Sequence, residues 1–302
     1  MVRHVTAGVD ETDESLAAAH WAAREALRRG AALRLVHACE WQGRPAASAT
    51  ADAGRRDRAE QTLERAVRSV GVAHPGLPVE DLLVSDSPVT VLLAAAEDSE
   101  LLVLGSRGLG HAVGFVMGSV SQRVVARSPG AVVLVRAGEA SADEHLPALD
   151  GVSPEEIPET PYRDVVLGMD TRHPCDELIA FAFDAARRRG TALRVVHALG
   201  AAGDNAAEGR SGAGHDTELL ADEEDLMAAM LRPWAEKCPG VTVSETVTAA
   251  RPSTELVRES AHASLVVVGR RTREARLGTH IGSVTQALLH QARCPVAVVP
   301  HA

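Results

Sequence analysis

The amino-acid sequence predicts an α/β protein of two tandem domains, each a parallel sheet with helices on both faces. Three observations predict it. The chain has 302 residues, about twice an ordinary domain length. Its second half repeats its first, and within each half short Val/Leu runs alternate with longer helical patterns. Aromatic residues make up only 2% of a chain that is 45% hydrophobic. The cores must therefore be filled by Val, Leu, Ile and Ala, as buried parallel sheets usually are.

The repeat shows in paired segments. Ala7-Gly8-Val9-Asp10 and Leu167-Gly168-Met169-Asp170 open the two halves, and Ala32 to Ala38 returns as Ala192 to Ala198 with one Leu-to-Val exchange. Both pairs are offset by 160. Further on, Leu101 to Gly105 matches Leu265 to Gly269, and Gly118-Ser119-Val120-Ser121-Gln122 matches Gly282-Ser283-Val284-Thr285-Gln286, now offset by 164. The four extra residues fall where the second half carries a Gly/Ala-rich stretch, Gly200 to Gly214, expected as a surface loop. Residues 138–161, rich in Glu, Asp, Pro and Ala and without a period, are the expected linker between domains 1–137 and 162–302.

In the first copy the expected strands are Val5 to Val9, Leu33 to Ala38, Val79 to Val84, Leu101 to Leu104 and Val132 to Val135. A helix is expected from Glu14 to Arg29, with Leu16, Ala19, Ala23 and Leu27 on one face and Gly30 as its stop. Its counterpart should begin near Pro174 and end at Gly190. Continuous apolar strands alternating with helices imply a parallel sheet covered on both sides. Such sheets take ligands beyond the carboxyl ends of their strands, where the topology reverses.

At that position the first copy carries Gly105-Ser106-Arg107-Gly108, nine residues, then Gly118-Ser119. Glycine permits positive φ and lets backbone amides approach an anion. Gly118-Ser119 precedes a helical run, so its amides would point from a helix N-terminus at a phosphate, with the Ser119 hydroxyl as a further donor. The second copy reads Gly269-Arg270-Arg271-Thr272, nine residues, then Gly282-Ser283. A lone pair of such glycines could simply turn the chain. The same spacing, twice, each time after an apolar strand, points instead to phosphate binding.

These segments resemble the universal stress protein family, whose motif is G-x2-G-x9-G-[ST]. The first copy fits it fully and the second at all but Thr272. The resemblance covers nearly all of both halves and implies a five-stranded parallel sheet of the adenine nucleotide alpha hydrolase type, binding ATP with or without Mg2+. Position by position, it places Asp10 and Asp170 near the adenosine and gives the backbones of Val36 and Val196 to the adenine. Gly105, Gly108, Gly118 and Ser119 become phosphate and ribose contacts, as do Gly269, Gly282 and Ser283. Gly8, Gly168, Val120, Ser121, Val284 and Thr285 complete the candidate set. Arg107 and Arg271 share one motif position and either reach a phosphate or stay solvated. Asp10 has a second reading, as a partner of Thr12 in capping the first helix. If the position of Thr272 needs positive φ, a β-branched residue there costs about 1 to 2 kcal/mol, which makes the second site the expected weaker one. The family's last strand often pairs across a two-fold axis, so Val132 to Val135 and Val296 to Val299 imply that the halves pack together and that chains form a homodimer.

Other classes find less support. A formal charge of -10 argues against nucleic acid as a partner. No apolar run reaches the roughly 18 residues of a membrane span, and no secretory leader stands at the start, so a cytoplasmic location without membrane contact is expected. Cys39, Cys175, Cys238 and Cys294 form no C-x-x-C and are expected as buried spectators. His37 and His197, at equivalent strand ends, lack the partners of a metal site, and none is expected. There is no G-x4-G-K-[ST], and Lys237 is the only lysine. Without a visible catalytic pair, a nucleotide-gated regulator in stress or dormancy is the first expectation. A slow ATPase, with Asp10 orienting a metal-bound water, and a scaffold with vestigial nucleotide sites are the alternatives.

Overall fold

A computed structural model describes residues 3–40, 49–106, 118–138, 140–146, 160–200, 213–272 and 281–301. They form two compact units that divide between Ala140 and Ser141.

The first unit runs β1 (His4–Gly8), α1 (Asp13–Arg29), β2 (Ala32–Ala38), α2 (Ala49–Ala73), β3 (Val79–Val84), α3 (Pro88–Glu97), β4 (Leu101–Ser106), α4 (Ser119–Arg127) and β5 (Val132–Arg136). All strands are parallel, in the order β3-β2-β1-β4-β5. The second unit repeats the plan with β6 (Asp164–Gly168), α5 (Asp176–Arg189), β7 (Leu193–Ala198), α6 (Ala213–Lys237), β8 (Val243–Thr248), α7 (Pro252–Glu259), β9 (Ala263–Arg271), α8 (Ser283–Gln291) and β10 (Val296–His301). Its order is β8-β7-β6-β9-β10, again parallel. Each unit is thus a five-stranded parallel sheet.

The path from β1 to β3 moves one way across the sheet, and β4 then returns to the far side of β1. Right-handed crossovers put α1 and α2 on one face and α3 and α4 on the other. The reversal lies between β1 and β4, and between β6 and β9 in the second unit. The two strands on either side of it carry the candidate residues at their carboxyl ends.

The strands bury Val5, Ala7, Leu33, Leu35, Leu102, Val103 and Val133 almost completely. On α1 the buried face differs from the expected one. Ala18, Ala19, Trp21, Ala22, Ala23 and Ala26 are buried, whereas Leu27 is exposed and Leu16 only half-buried. Small alanines bring the helix close to the sheet, and the interior carboxylate of Glu25 is held by Arg28 at 3.0 Å and Arg29 at 2.7 Å. Gly30 and Gly190 end their helices with φ of 61° each, the left-handed turn that glycine adopts without penalty.

Three boundaries differ from expectation. β4 and β9 run through the motif glycines to Ser106 and Arg271, because Gly105 pairs with Val135 and Gly269 with Val299. α5 starts at Asp176, two residues after Pro174, because Cys175 is extended and its sulfur accepts the Leu178 amide as the N-cap. Part of the expected linker is built into the second unit. Ser141–Glu144 form a 3-10 turn, Glu144 and His145 are buried, and His145 bridges to Tyr162. Arg163 fastens this segment by donating to the carbonyls of His145 at 2.8 Å and Ala261 at 3.0 Å. Most of the expected loop at 200–214 lies outside the described residues.

Candidate functional site

The motif glycines separate into two kinds when a Cβ is placed on each. At Gly105 it would lie 2.7 Å from the Glu14 carbonyl carbon and 2.8 Å from the Ser15 amide, so the first turn of α1 requires a glycine there. At Gly269 it would meet the His301 ring at 2.7 Å, at Gly8 the Leu104 and Leu92 side chains at 2.7 and 2.8 Å, and at Gly168 the Leu256 side chain at 2.7 Å. Gly105 meets backbone that cannot yield locally, whereas the other three meet ends of side chains that could shift aside. Gly8 and Gly168, expected among the ligand contacts, face the core residues between sheet and helix.

Gly118 and Gly282 are different. They are the N-caps of α4 and α8, with φ of -59° and -60°, values open to any residue. Among the described residues nothing lies within 4 Å of a Cβ on Gly282. Among the described residues neither a positive φ nor a packing contact requires that glycine. Among the described residues no side chain caps the first amides of α8, and Ser283 is exposed beside them with Val284 half-buried. Ser119 and Val120 stand likewise on α4.

One turn further in, the hydroxyls are committed to the scaffold. Ser121 Oγ donates to the Gly105 carbonyl at 3.2 Å, and Thr285 Oγ1 to the Gly269 carbonyl at 3.2 Å. Both side chains are buried. They fix each helix N-terminus against the end of the strand before it.

The carbonyls of Val36 and Val196, expected to face a base, accept the amides of Val9 at 2.9 Å and Met169 at 3.0 Å, and both residues are buried. The ladder already holds that backbone acceptor. Ala38 and Ala198, half-buried, end β2 and β7. The histidines before them have a structural explanation. His37 Nδ1 donates to the Val9 carbonyl at 2.7 Å, and His197 Nδ1 to the Met169 carbonyl at 3.0 Å, which positions the turns carrying Asp10 and Asp170. In the second unit His197 Nε2 also lies 3.1 Å from the Thr171 hydroxyl, which donates to Glu223 on α6 at 2.6 Å. Sequence reasoning missed Thr171 and Glu223, since neither belongs to a repeated segment.

Asp10 is exposed and accepts the Thr12 amide at 2.9 Å and the Thr12 hydroxyl. Thr12 in turn caps α1 by accepting the Ser15 amide at 3.2 Å. The capping role is therefore real, and it leaves Asp10 at the crevice. Asp170 sits in a charged cluster. One oxygen accepts the Arg172 amide at 3.1 Å; the other lies 3.0 Å from His173 Nδ1 and 3.1 Å from Arg271 Nη2. Burial pushes the Asp170 carboxyl up, but the neighbouring His173 ring, the Arg172 amide and the Arg271 charge together hold it below its ordinary value.

Thr272 makes contacts of its own. Its amide and hydroxyl both donate to the His301 carbonyl, at 2.6 and 2.8 Å, continuing the pairing of β9 with β10 by one residue. The expected penalty at this position is thus set against two hydrogen bonds that glycine would make only in part, and strain alone no longer ranks the second site below the first. Arg107 and Gly108 lie outside the described residues. Among the described residues no group of three or more His, Cys, Asp and Glu is arranged for a metal ion, and no helix is long and apolar enough to cross a membrane. All four cysteines are free thiols; Cys175 and Cys294 are buried.

A doubly wound sheet with open helix N-termini at its switch point defines the class of α/β proteins that take ligands at that crevice. The universal stress protein family model matches residues 1–136 and 161–300, and the chain belongs to that family. It is 34% identical over 304 residues to a universal stress protein of Mycobacterium tuberculosis H37Rv, covering 97% of this chain and 96% of the relative. A universal stress protein of Mycolicibacterium smegmatis is 30% identical over 305 residues, covering 98% and 96%. The fold is similar to the crystal structure of a universal stress protein from Archaeoglobus fulgidus, with a TM-score of 0.69 at 16% identity over 99% of this chain and 98% of that one.

Proposed function

We propose that this chain is a cytoplasmic, adenine-nucleotide-binding regulator that takes ATP at the switch point of each unit and responds to nucleotide in stress or dormancy. The observation that carries the proposal is the open N-cap of α8. Gly282 has an ordinary φ, and among the described residues nothing fills the space where a side chain would go, which leaves the helix amides open to an approaching phosphate. Gly118 repeats the backbone conformation on α4. The amides and hydroxyls of Ser119 and Ser283 would hold phosphate oxygens, with Mg2+ accompanying them, and Asp10 and Asp170 would face the sugar. Bound ATP would supply its phosphate charge as the signal that the loops read. Domains spanning 1–137 and 162–302 are proposed, with 138–161 between them, of which Ser141 to His145 pack on the second unit, and a homodimer of chains is proposed from the family's strand pairing alone.

Mass spectrometry of the purified, denatured chain tests the proposal, together with calorimetric titration of the nucleotide-free chain with ATP. Retained ATP and saturable binding are expected. A chain that carries no nucleotide and binds none is a scaffold, and retained ADP in place of ATP would mark it as a hydrolase.

A further inference from the structure

The cluster at the second site contains a conflict that proton counting exposes. His173 Nδ1 lies 3.0 Å from Asp170 Oδ2 and 2.9 Å from Arg271 Nη2. A guanidinium nitrogen only donates and a carboxylate only accepts. Nδ1 can therefore satisfy one neighbour at a time, bare toward Arg271 or protonated toward Asp170. Arg271 also donates to Asp170 at 3.1 Å, so the three groups compete within one contact set.

We propose that binding a phosphate-bearing ligand at the second site draws Arg271 off Asp170 and that His173 takes up a proton to replace it as the partner of Asp170. The inference rests on the nucleotide-binding role proposed above and adds how that site is regulated. While Arg271 is in place, its charge opposes a second cation on His173 and its N-H uses the bare nitrogen. A phosphate offers Arg271 a stronger, two-pronged partner than one shared carboxylate oxygen. Once Arg271 turns away, Nδ1 loses its donor while Asp170 loses its cation, and both losses favour the imidazolium. Histidine is the side chain best suited to gain and lose a proton under physiological conditions, which fits it for this exchange. The balance is one proton taken from solvent onto Nδ1, with no bond to carbon made or broken.

The side chains of Asp170, His173 and Arg271 are between 39% and 52% exposed, which leaves them free to swing and keeps the pairing weak enough to exchange. The other charged groups on neighbouring elements are Arg172 on the same turn, and Glu177 at the start of α5, which interacts with His301 at the end of β10. The first unit has Asp13 where the second has His173, so this proton exchange belongs to the second site. Because the bound state carries one more proton on His173 than the free state, affinity at this site rises as pH falls.

The test is calorimetry of the full chain with ATP near pH 7, repeated in two buffers of different ionisation enthalpy, for the wild type and for His173→Gln. Proton exchange by the nucleotide itself and by the first site is common to both proteins and cancels in the difference. The wild type should take up more protons than His173→Gln, by up to about one per chain. Arg271→Gln should lower the uptake as well, because His173 is then free to sit protonated on Asp170 before ligand arrives, and should weaken binding severalfold. Equal proton counts in wild type and His173→Gln, with ATP still bound, would overturn the exchange while leaving nucleotide binding intact. Absence of any ATP binding in either protein is a different result and removes both proposals.

Discussion

The hydroxyl of Ser121 donates to the carbonyl of Gly105 at 3.2 Å, across a gap of sixteen residues in the chain, and Thr285 makes the same bond to Gly269 in the second unit. These two ties join the residues that the sequence presents as successive parts of one motif. They show that the last part of the motif is divided in role. Its glycine leaves helix amides open, and the hydroxyl three residues on fixes the helix to its strand.

Replacing that hydroxyl should therefore cost stability before it costs binding. Thr285→Val keeps the shape and removes the donor, leaving the Gly269 carbonyl one partner short, and about 1 kcal/mol of destabilisation is expected. Thr285→Ser should recover most of it. Urea unfolding of the three proteins checks this, and a stability unchanged in Thr285→Val would mean that the hydroxyl serves a ligand instead.

Glycine substitutions should separate in the opposite sense. Among the described residues a Cβ on Gly282 meets nothing within 4 Å, and its φ is one that valine adopts, so the fold should survive Gly282→Val with at most the modest loss of a poor N-cap. ATP affinity at that site should fall at least tenfold, about 1.4 kcal/mol. Gly105→Ala should do the reverse of a clean binding defect. Its Cβ would press on the backbone of Glu14 and Ser15, and α1 must shift, so unfolding should move to lower denaturant in that variant. If Gly282→Val binds ATP as the parent does, the open N-cap is not the phosphate site.

The glycines also show how far the sequence could be read. The repeat, the strand-helix alternation and the helix stops at Gly30 and Gly190 are local signals, and the structure contains them all. The difference between Gly105 and Gly282 is not local. It depends on α1 crossing one and no described residue crossing the other, which spacing along the chain does not encode. Leu27 misled the periodic pattern for a related reason, since an alanine-rich face packs closer to the sheet than a leucine face would. His173 and Arg271 lie 98 residues apart and meet only because β9 lies beside β6. The delayed start of α5 followed from the cysteine, whose sulfur serves as a cap, a role in which serine or threonine is the usual choice.

Thr171 offers a sharp test of the second crevice, because one hydroxyl links two elements. It lies 3.1 Å from His197 Nε2 at the end of β7 and donates to Glu223 of α6 at 2.6 Å. Thr171 and His197 are buried, and the Glu223 carboxylate is 17% exposed, so water can restore only part of what a substitution removes. Thr171→Val preserves volume and deletes the hydroxyl. It leaves His197 Nε2 and the Glu223 carboxylate facing each other across 3.6 Å without the bridge. The expected loss is about 1 to 3 kcal/mol, the cost of leaving buried polar groups poorly paired. Thr171→Ser keeps the hydroxyl and should lose less. The double variant Thr171→Val with Glu223→Leu removes the acceptor along with the donor and should be less destabilised than the sum of its single changes, since the two groups share one contact. Denaturant unfolding of the parent chain, the three single variants and the double variant measures all of this. Additive losses in the double variant would show that Thr171 and Glu223 are not coupled, and that α6 is held at this crevice by other contacts.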